Sequence, residues 1–267
     1  MTVRILGVVV MVVGCGDNKL TVGSDAAPPI QIDARPPTPF EAWGLAWAEH
    51  DLTRRNALLE IALDPSIRYV SLNAELNGPT MISTVIGNFL QTGGSTGVSS
   101  RVDQHNSRAR YTWYVNDSGG TTTATGRDVD ALAADGRLMR IVEFWDPLPA
   151  AGTLTTVQQA LRDAFNTSDP TARDALLATA VSSDVVTLMP PSTRGTTRAE
   201  LSTIIGNQLA ADPSRVFAFE SGVLANREFW YVTWSRSVVN TTGVLAMVVA
   251  GDGTVSELVF FDGVQPN

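Results

Sequence analysis

The chain has 267 residues, 44% of them hydrophobic and 17% charged, a globular composition that buries a core without disulfides or metal. Twenty-seven acidic residues against 19 basic ones give a net charge of −8 and a pI near 4.7, which excludes the Lys- and Arg-driven counterion release behind nucleic-acid binding. Lys19 is the only lysine among the 19 basic residues, a usage that reads as codon bias.

Residues 1–14 carry one basic side chain, Arg4, and then an apolar run from Ile5 to Val13. That run is too short to span a bilayer as a mature helix but suits the hydrophobic region of a secretory signal. It ends at Val12, Val13, Gly14 and Cys15, a pattern that resembles the lipobox of bacterial lipoproteins. The resemblance implies that Cys15, the only cysteine, is acylated and anchors the chain to a membrane. It also implies a cell-envelope address, with the outer membrane preferred because Gly16, not Asp, follows Cys15. Residues 15–39 are rich in Pro, Asp and Ala and are expected to form a disordered tether.

Beyond the tether the chain is one unit written twice. Ser83, Thr84, Ile86, Gly87, Asn88 and Leu90 return as Ser202, Thr203, Ile205, Gly206, Asn207 and Leu209. Asp51, Arg55, Leu58 and Leu59 return as Asp169, Arg173, Leu176 and Leu177, and Asp135-Gly136 returns as Asp252-Gly253. Offsets so nearly constant indicate duplication of a whole module, with module 1 at 40–149 and module 2 at 154–267. In module 1 the spacing predicts a helix from Phe40 to Asp51 and a second from Thr53 through Leu63. A short strand and a third helix over 80–90 follow, the latter matched by 198–210 in module 2. Asp169 with Pro170, and Thr197 with Glu200, are expected N-terminal caps. After the third helix the period becomes two, predicting strands over 98–105, 109–115, 123–133 and 138–145, with tight turns at the two Asp-Gly pairs. The expected fold is α+β: two tandem cone-shaped rolls, each with three helices packed on a curved antiparallel sheet.

Residues 51–59, Ile67 to Val70, Gly78, Ile86 to Leu90, Tyr111 to Trp113 and 128–144 give the chain a pattern that resembles the SnoaL-like branch of the nuclear-transport-factor-2-like superfamily. The resemblance covers module 1 and, more faintly, module 2. Family members with known chemistry, such as ketosteroid isomerase and polyketide cyclases, place carboxylates inside the cone; in that isomerase one is a neutral, hydrogen-bond-donating Asp. Asp128 falls at that position. The isomerase's general base falls on Ser71 and its helical tyrosine on Trp43, so proton transfer of that type lacks its base and half of its oxyanion hole. Module 2 carries Leu161, Met189 and Leu245 at these places and reads as degenerate. Family modules commonly pair through their sheets, which implies an intramolecular pseudo-dimer with module 2 as a structural partner.

The residues themselves leave alternatives open. Asp128 and Asp130 share one strand face; it is either solvated or points into the cone, where burial would raise a carboxyl pKa. His105 is either a base or a surface residue, and His50 is a helix-end residue. Tyr111, Trp113, Trp230 and Trp234 either line a ligand cavity or fill the core. No metal set is expected, because His-x-His and Cys-x-x-Cys are missing, and no cofactor motif is present. The sequence therefore points to a lipid-anchored envelope protein, non-catalytic or binding a small apolar ligand in module 1. Alternatives are a cofactor-free isomerase, cyclase or hydratase using Asp128 with His105 or Tyr111 on a hydrophobic carbonyl compound, and an adaptor for an envelope protein.

Overall fold

The computed structural model describes residues 35–237 and 241–263. The expected signal, Cys15 and most of the tether lie outside the described residues. Among those described, no helix is long and apolar enough to cross a membrane.

Module 1 contains α1 (Pro39–Ala46), α2 (Leu52–Ala62), β1 (Leu63–Val70), β2 (Glu75–Asn77), α3 (Pro79–Leu90), β3 (Ser95–Val98), β4 (Asp103–His105), β5 (Arg108–Asn116), β6 (Thr122–Leu132) and β7 (Leu138–Trp145). Module 2 repeats this order as α4 (Thr156–Phe165), α5 (Pro170–Ala180), β8 (Val181–Met189), β9 (Thr193–Gly195), α6 (Arg198–Ala211), β10 (Phe217–Phe219), β11 (Leu224–Asn226), β12 (Phe229–Arg236), β13 (Thr241–Val249) and β14 (Val255–Asp262). Each module is an α+β roll with a seven-stranded sheet, ordered β2-β1-β7-β6-β5-β3 and β10-β12-β13-β14-β8-β9, with β4 and β11 pairing β5 and β12. The sheets are mixed and not purely antiparallel, since β1 joins β7, and β8 joins β14, in parallel.

Three local expectations are corrected. Leu63 opens β1 and does not close α2, because Pro65 disfavours helical geometry at Asp64. The strand expected over 98–105 is two short strands, β3 and β4. Between them the Ser99 hydroxyl lies 2.9 Å from that of Thr112, and the Thr112 amide donates to Ser100 Oγ at 2.9 Å, side chains standing in for ladder bonds. The cap at α6 is half a capping box: Thr197 accepts from the Glu200 amide, but the Glu200 carboxylate turns to the Thr196 amide at 2.6 Å.

The repeated Asp, Arg and Gly residues form a brace. Asp51 caps α2 and Asp169 caps α5, accepting amide bonds at 2.9 and 2.7 Å. One helical turn on, the buried Arg55 and Arg173 donate to Ser83 Oγ (3.2 Å) and Ser202 Oγ (3.0 Å) and to carbonyls before the helix, Glu49 O at 2.8 Å and Thr167 O at 3.0 Å. The guanidinium lies against Gly87 or Gly206, where a Cβ would come within 2.8 or 2.9 Å of Nη2. The sequence echo is thus the device that locks the second helix to the third.

Inside each cone the helices cover an apolar core, around Trp47, Phe89 and Ile141 in module 1 and Phe165, Leu201 and Phe260 in module 2. The outer faces of the two sheets bury a third layer in which Val70, Val129, Val142 and Phe144 meet Leu188, Phe229, Tyr231, Val259 and Phe261. This layer is asymmetric. Module 1 contributes guanidiniums and module 2 aromatic faces: Arg68 and Arg140 lie over Phe229 at 5.3 and 5.0 Å, Arg110 over Phe261 at 5.0 Å and Arg127 over Tyr231 at 5.2 Å. Such contacts strengthen as water is excluded. Glu257 bridges Arg108 (2.8 Å) and Arg140 (2.9 Å), and Arg68 pairs with both Glu75 and Glu228. Packing is close, with a cavity of about 10 Å³ between Val129, Phe144, Phe229 and Ala246.

Because Glu257 holds two mostly buried arginines, Glu257→Gln should lower the unfolding free energy by about 1–3 kcal/mol. Glu75→Gln, at a more exposed and solvent-screened pair, should cost less. Urea unfolding of the two variants checks the order, and equal losses would refute it.

Candidate functional site

The alternation of β6 turns Asp128 and Asp130 to the face that carries the helices, and the ladder sets Tyr111 of β5 on one side of Asp128 and Glu143 of β7 on the other. Tyr111 donates to Asp128 Oδ2 at 2.6 Å, and Trp113 Nε1 donates to Oδ1 at 2.7 Å. Trp43 of α1 donates to the Tyr111 hydroxyl at 3.2 Å. A second set runs parallel to this: Tyr69 donates to Glu143 Oε1, and Trp145 Nε1 donates to Oε2 at 3.3 Å. Trp113 reaches Asp128 by lying on Gly126, where a Cβ would come within 2.4 Å of its ring.

The solvated alternative for this face is overturned, since Asp128, Asp130 and Glu143 are 1%, 0% and 3% exposed. Burial raises the Asp128 carboxyl to about 7 against the opposing pull of its Tyr111 and Trp113 donors. Burial and then the Asp128 charge raise Glu143 to about 8. Asp130 is driven well up by burial and by repulsion from Asp128, and both its oxygens are buried without a hydrogen-bond partner. The charged form of a carboxyl loses most on leaving water, so such a cluster retains protons at neutral pH. Tyr69 and Tyr111 are pushed up by burial and by these carboxylates, and so stay protonated as donors.

Four of the expected site residues therefore lie together: Asp128, Tyr111, Trp113 and Trp43. Ser71 lies just past β1, half-buried, with its hydroxyl toward Ala74 O at 3.5 Å. His105 faces away from the cone, in the layer between modules. Its ring packs on Phe261 at 4.7 Å, and Nδ1 lies 3.1 Å from Asn106 Nδ2, which also donates to Met189 O. His50 is exposed beyond α1. Glu143, Tyr69 and Trp145 were not among the expected residues. The alternation Ile141, Glu143, Trp145 on the core face of β7 is the signal that would have found Glu143. Among the described residues, no group of three or more His, Cys, Asp or Glu is placed to hold a metal ion.

Module 2 builds the same sheet around different side chains. By ladder register, Leu245 replaces Asp128, Val232 replaces Tyr111, Met247 replaces Asp130, and Trp230 faces Met247 where Ala109 faces Asp130. On the next strand Phe260, opposite Leu245, replaces Glu143, and Thr187, opposite Leu258, replaces Tyr69. Trp234 keeps the place of Trp113 and lies on Gly243 as Trp113 lies on Gly126. The roll therefore closes without any of the three carboxylates. A concavity of about 260 Å³, lined by Leu154, Gln158, Val223 and Trp230, opens on module 2 and carries no charged side chain.

The structural neighbours of this chain are SnoaL-like and nuclear-transport-factor-2-like proteins. One, a SnoaL-like protein from Agrobacterium tumefaciens provisionally named an isomerase, is 28% identical over 41% of this chain and 95% of its own, with a TM-score of 0.38. A SnoaL-like protein of unknown function from Burkholderia thailandensis is 16% identical over 43% of this chain and 100% of its own (TM-score 0.35). A nuclear-transport-factor-2-like protein of unknown function from Exiguobacterium is 14% identical over 41% and 98% (TM-score 0.34). No family model matches the chain, and no curated protein does.

The raised pKa values fix the sign of the pH dependence. A group held above its unfolded value adds stability that is complete below the unfolded pKa and is lost as pH rises through the folded one. The loss here begins above the unfolded Asp value of 3.8 and continues through the folded values of about 7 for Asp128 and about 8 for Glu143. The melting temperature should fall over this range. Asp130→Asn should match the parent chain near about pH 4 and exceed it near about pH 8, since the amide cannot ionise. Calorimetry at the two pH values decides, and a variant less stable at both would contradict the assignment.

Proposed function

We propose that the chain is a lipid-anchored envelope protein whose module 1 binds a small, largely apolar ligand in the cone, with the Asp128 and Glu143 set reading the ligand's polar head. The observation that carries this is internal to the molecule. Module 2 folds the same way with Leu245, Met247 and Phe260 where module 1 has Asp128, Asp130 and Glu143. Buried carboxyls are costly, and since the fold does not need them, a use outside folding accounts for them. Module 2, packed on the outer face of module 1's sheet, holds that sheet in place.

The head recognised is an oxygen-bearing group, a carbonyl or hydroxyl, because protonated carboxyls donate to a carbonyl and ionised ones accept from a hydroxyl. Trp43, Tyr69, Tyr111 and Trp113 are all 5% exposed or less. Access therefore requires α1, a helix of 8 residues that carries Phe40 and Trp43, to swing aside. A second reading, cofactor-free acid–base chemistry on a hydrophobic carbonyl compound, is favoured by the Asp128 carboxyl at about 7, the range in which one group can both take and give a proton.

Titrating the chain with a series of hydrophobic ketones and phenols, read through Trp emission, tests the binding claim. Asp128→Asn should weaken the best ligand roughly tenfold or more, the scale of one charge-assisted hydrogen bond, with the melting temperature maintained. Absence of binding across the series, or binding indifferent to Asp128→Asn, would remove the proposal. If the same compounds are turned over by the parent chain and not by Asp128→Asn, the catalytic reading replaces simple binding. The address is checked separately: Cys15→Ser should move the protein from the membrane to the soluble fraction, and retention on the membrane would exclude the lipid anchor.

A further inference from the structure

The loss of carboxylates from module 2 leaves something in their place. Arg215, in the turn between α6 and β10, is 9% exposed, and its Nε–H is buried without an acceptor. Arg236, the last residue of β12, lies with its guanidinium carbon 4.6 Å over the Trp234 ring, and its Nε–H is also buried without an acceptor among the described residues. Trp234 itself is fully buried with an unpartnered Nε1–H. In module 1 the corresponding indole, Trp113, donates to Asp128; in module 2 the residue there is Leu245, which accepts nothing. The ladder register sets Arg236 where module 1 has Val115, since Val98 with Trp113 matches Phe219 with Trp234.

Among the described residues neither guanidinium makes an ion pair; Asp212 and Asp262 act on them only at a distance. Among the described residues Arg215 donates to the side chain of Gln208 at Oε1, held by α6, and Gln208 Nε2 turns to Met189 Sδ at 3.5 Å. The backbone brings the two arginines together, since the Ser237 amide donates to Val216 O at 3.0 Å and the Val216 amide to Ser237 Oγ at 3.1 Å. Burial and then repulsion from Arg236 pull the Arg215 guanidinium down to about 10, as happens to neighbouring cations without a paired anion. Phe217 stacks on Trp234 at 5.8 Å and meets Phe219 edge-on at 5.3 Å, giving the place an aromatic wall.

Buried N–H groups left without acceptors are uncommon and costly in folded proteins, and guanidiniums match the planar, bidentate geometry of oxyanions. We propose that Arg215, Arg236 and the Trp234 indole form an oxyanion-binding site in module 2, taking the carboxylate or phosphate head of a small molecule whose apolar part lies along the half-buried Phe219. The two cones are then complementary, one acidic and proton-holding, the other cationic. This site stands independently of the ligand proposed for module 1.

Calorimetric titration of the full-length chain with benzoate, inorganic phosphate and the neutral isostere benzamide tests it, together with amide NMR in which the Trp234 indole signal is assigned by its loss in Trp234→Phe. Benzoate should bind at least roughly tenfold tighter than benzamide and shift the Trp234 indole signal, and Arg236→Gln should cost roughly tenfold in benzoate affinity, the scale of one guanidinium–oxyanion contact. Phosphate binding with the same Arg236 dependence, without benzoate binding, also supports the site and identifies a phosphate head. Arg236→Lys should retain part of the affinity, so a loss of folding in a glutamine variant would not leave the matter open. Benzoate and phosphate both failing to bind, benzamide binding as well as benzoate, or anion binding that leaves the Trp234 signal and the Arg236→Gln affinity unchanged would each overturn the proposal.

Discussion

Everything in this molecule is arranged around a shared layer between two curved sheets. A sheet that closes a cone on one face still has a second face to bury, and here each module supplies the cover for the other. Valines, Phe144 and four arginines on one side meet Phe229, Tyr231 and Phe261 on the other. The asymmetry of the layer matters: two copies of the arginine-bearing face would meet with like charges, whereas arginine over aromatic ring is favourable. Duplication followed by division of this surface into a cationic and an aromatic half ties the modules into one body.

With the outer faces committed to that layer, the cone interiors are left free to differ, and they do. Helix caps, the Arg55 and Arg173 braces and the tryptophan-on-glycine contact recur in both modules. The polar contents do not recur. Module 1 gathers three carboxyls around Tyr69 and Tyr111, and module 2 replaces them with Leu245, Met247 and Phe260 while acquiring Arg236 over its own Trp234 and Arg215 nearby on the same edge. A fold that closes around either set is indifferent to the chemistry inside, which is why the contents, and not the architecture, point to function.

Much of the architecture was legible from residue order. The duplication, the Asp169-Pro170 cap and the Asp135-Gly136 and Asp252-Gly253 turns are local features, written in adjacent residues, and they stand in the structure with Gly136 and Gly253 at positive φ. Asp128 was also legible, through the resemblance to carboxylate-bearing cones. Its depth was not, because strand alternation assigns a face without saying whether that face is wet. Glu143 had a local signal in the alternation of β7, but its partnership with Tyr69 depends on neighbouring strands far apart in sequence. His105 was misjudged for a related reason: its surroundings come from Phe261 of the other module, which no reading of one module alone supplies. Arg215 and Arg236 had no signal in sequence, since a basic residue near a turn ordinarily lies in solvent.

The most direct test of the central claim is to give module 1 the core of module 2 by combining Trp43→Leu, Tyr69→Thr, Ala109→Trp, Tyr111→Val, Asp128→Leu, Asp130→Met and Glu143→Phe, and to measure urea unfolding near neutral pH. If the carboxyls serve function and not folding, the exchanged chain folds and is at least as stable as the parent. A chain that unfolds more readily than the parent, or fails to fold, would show that the carboxyl cluster is part of what holds module 1 together.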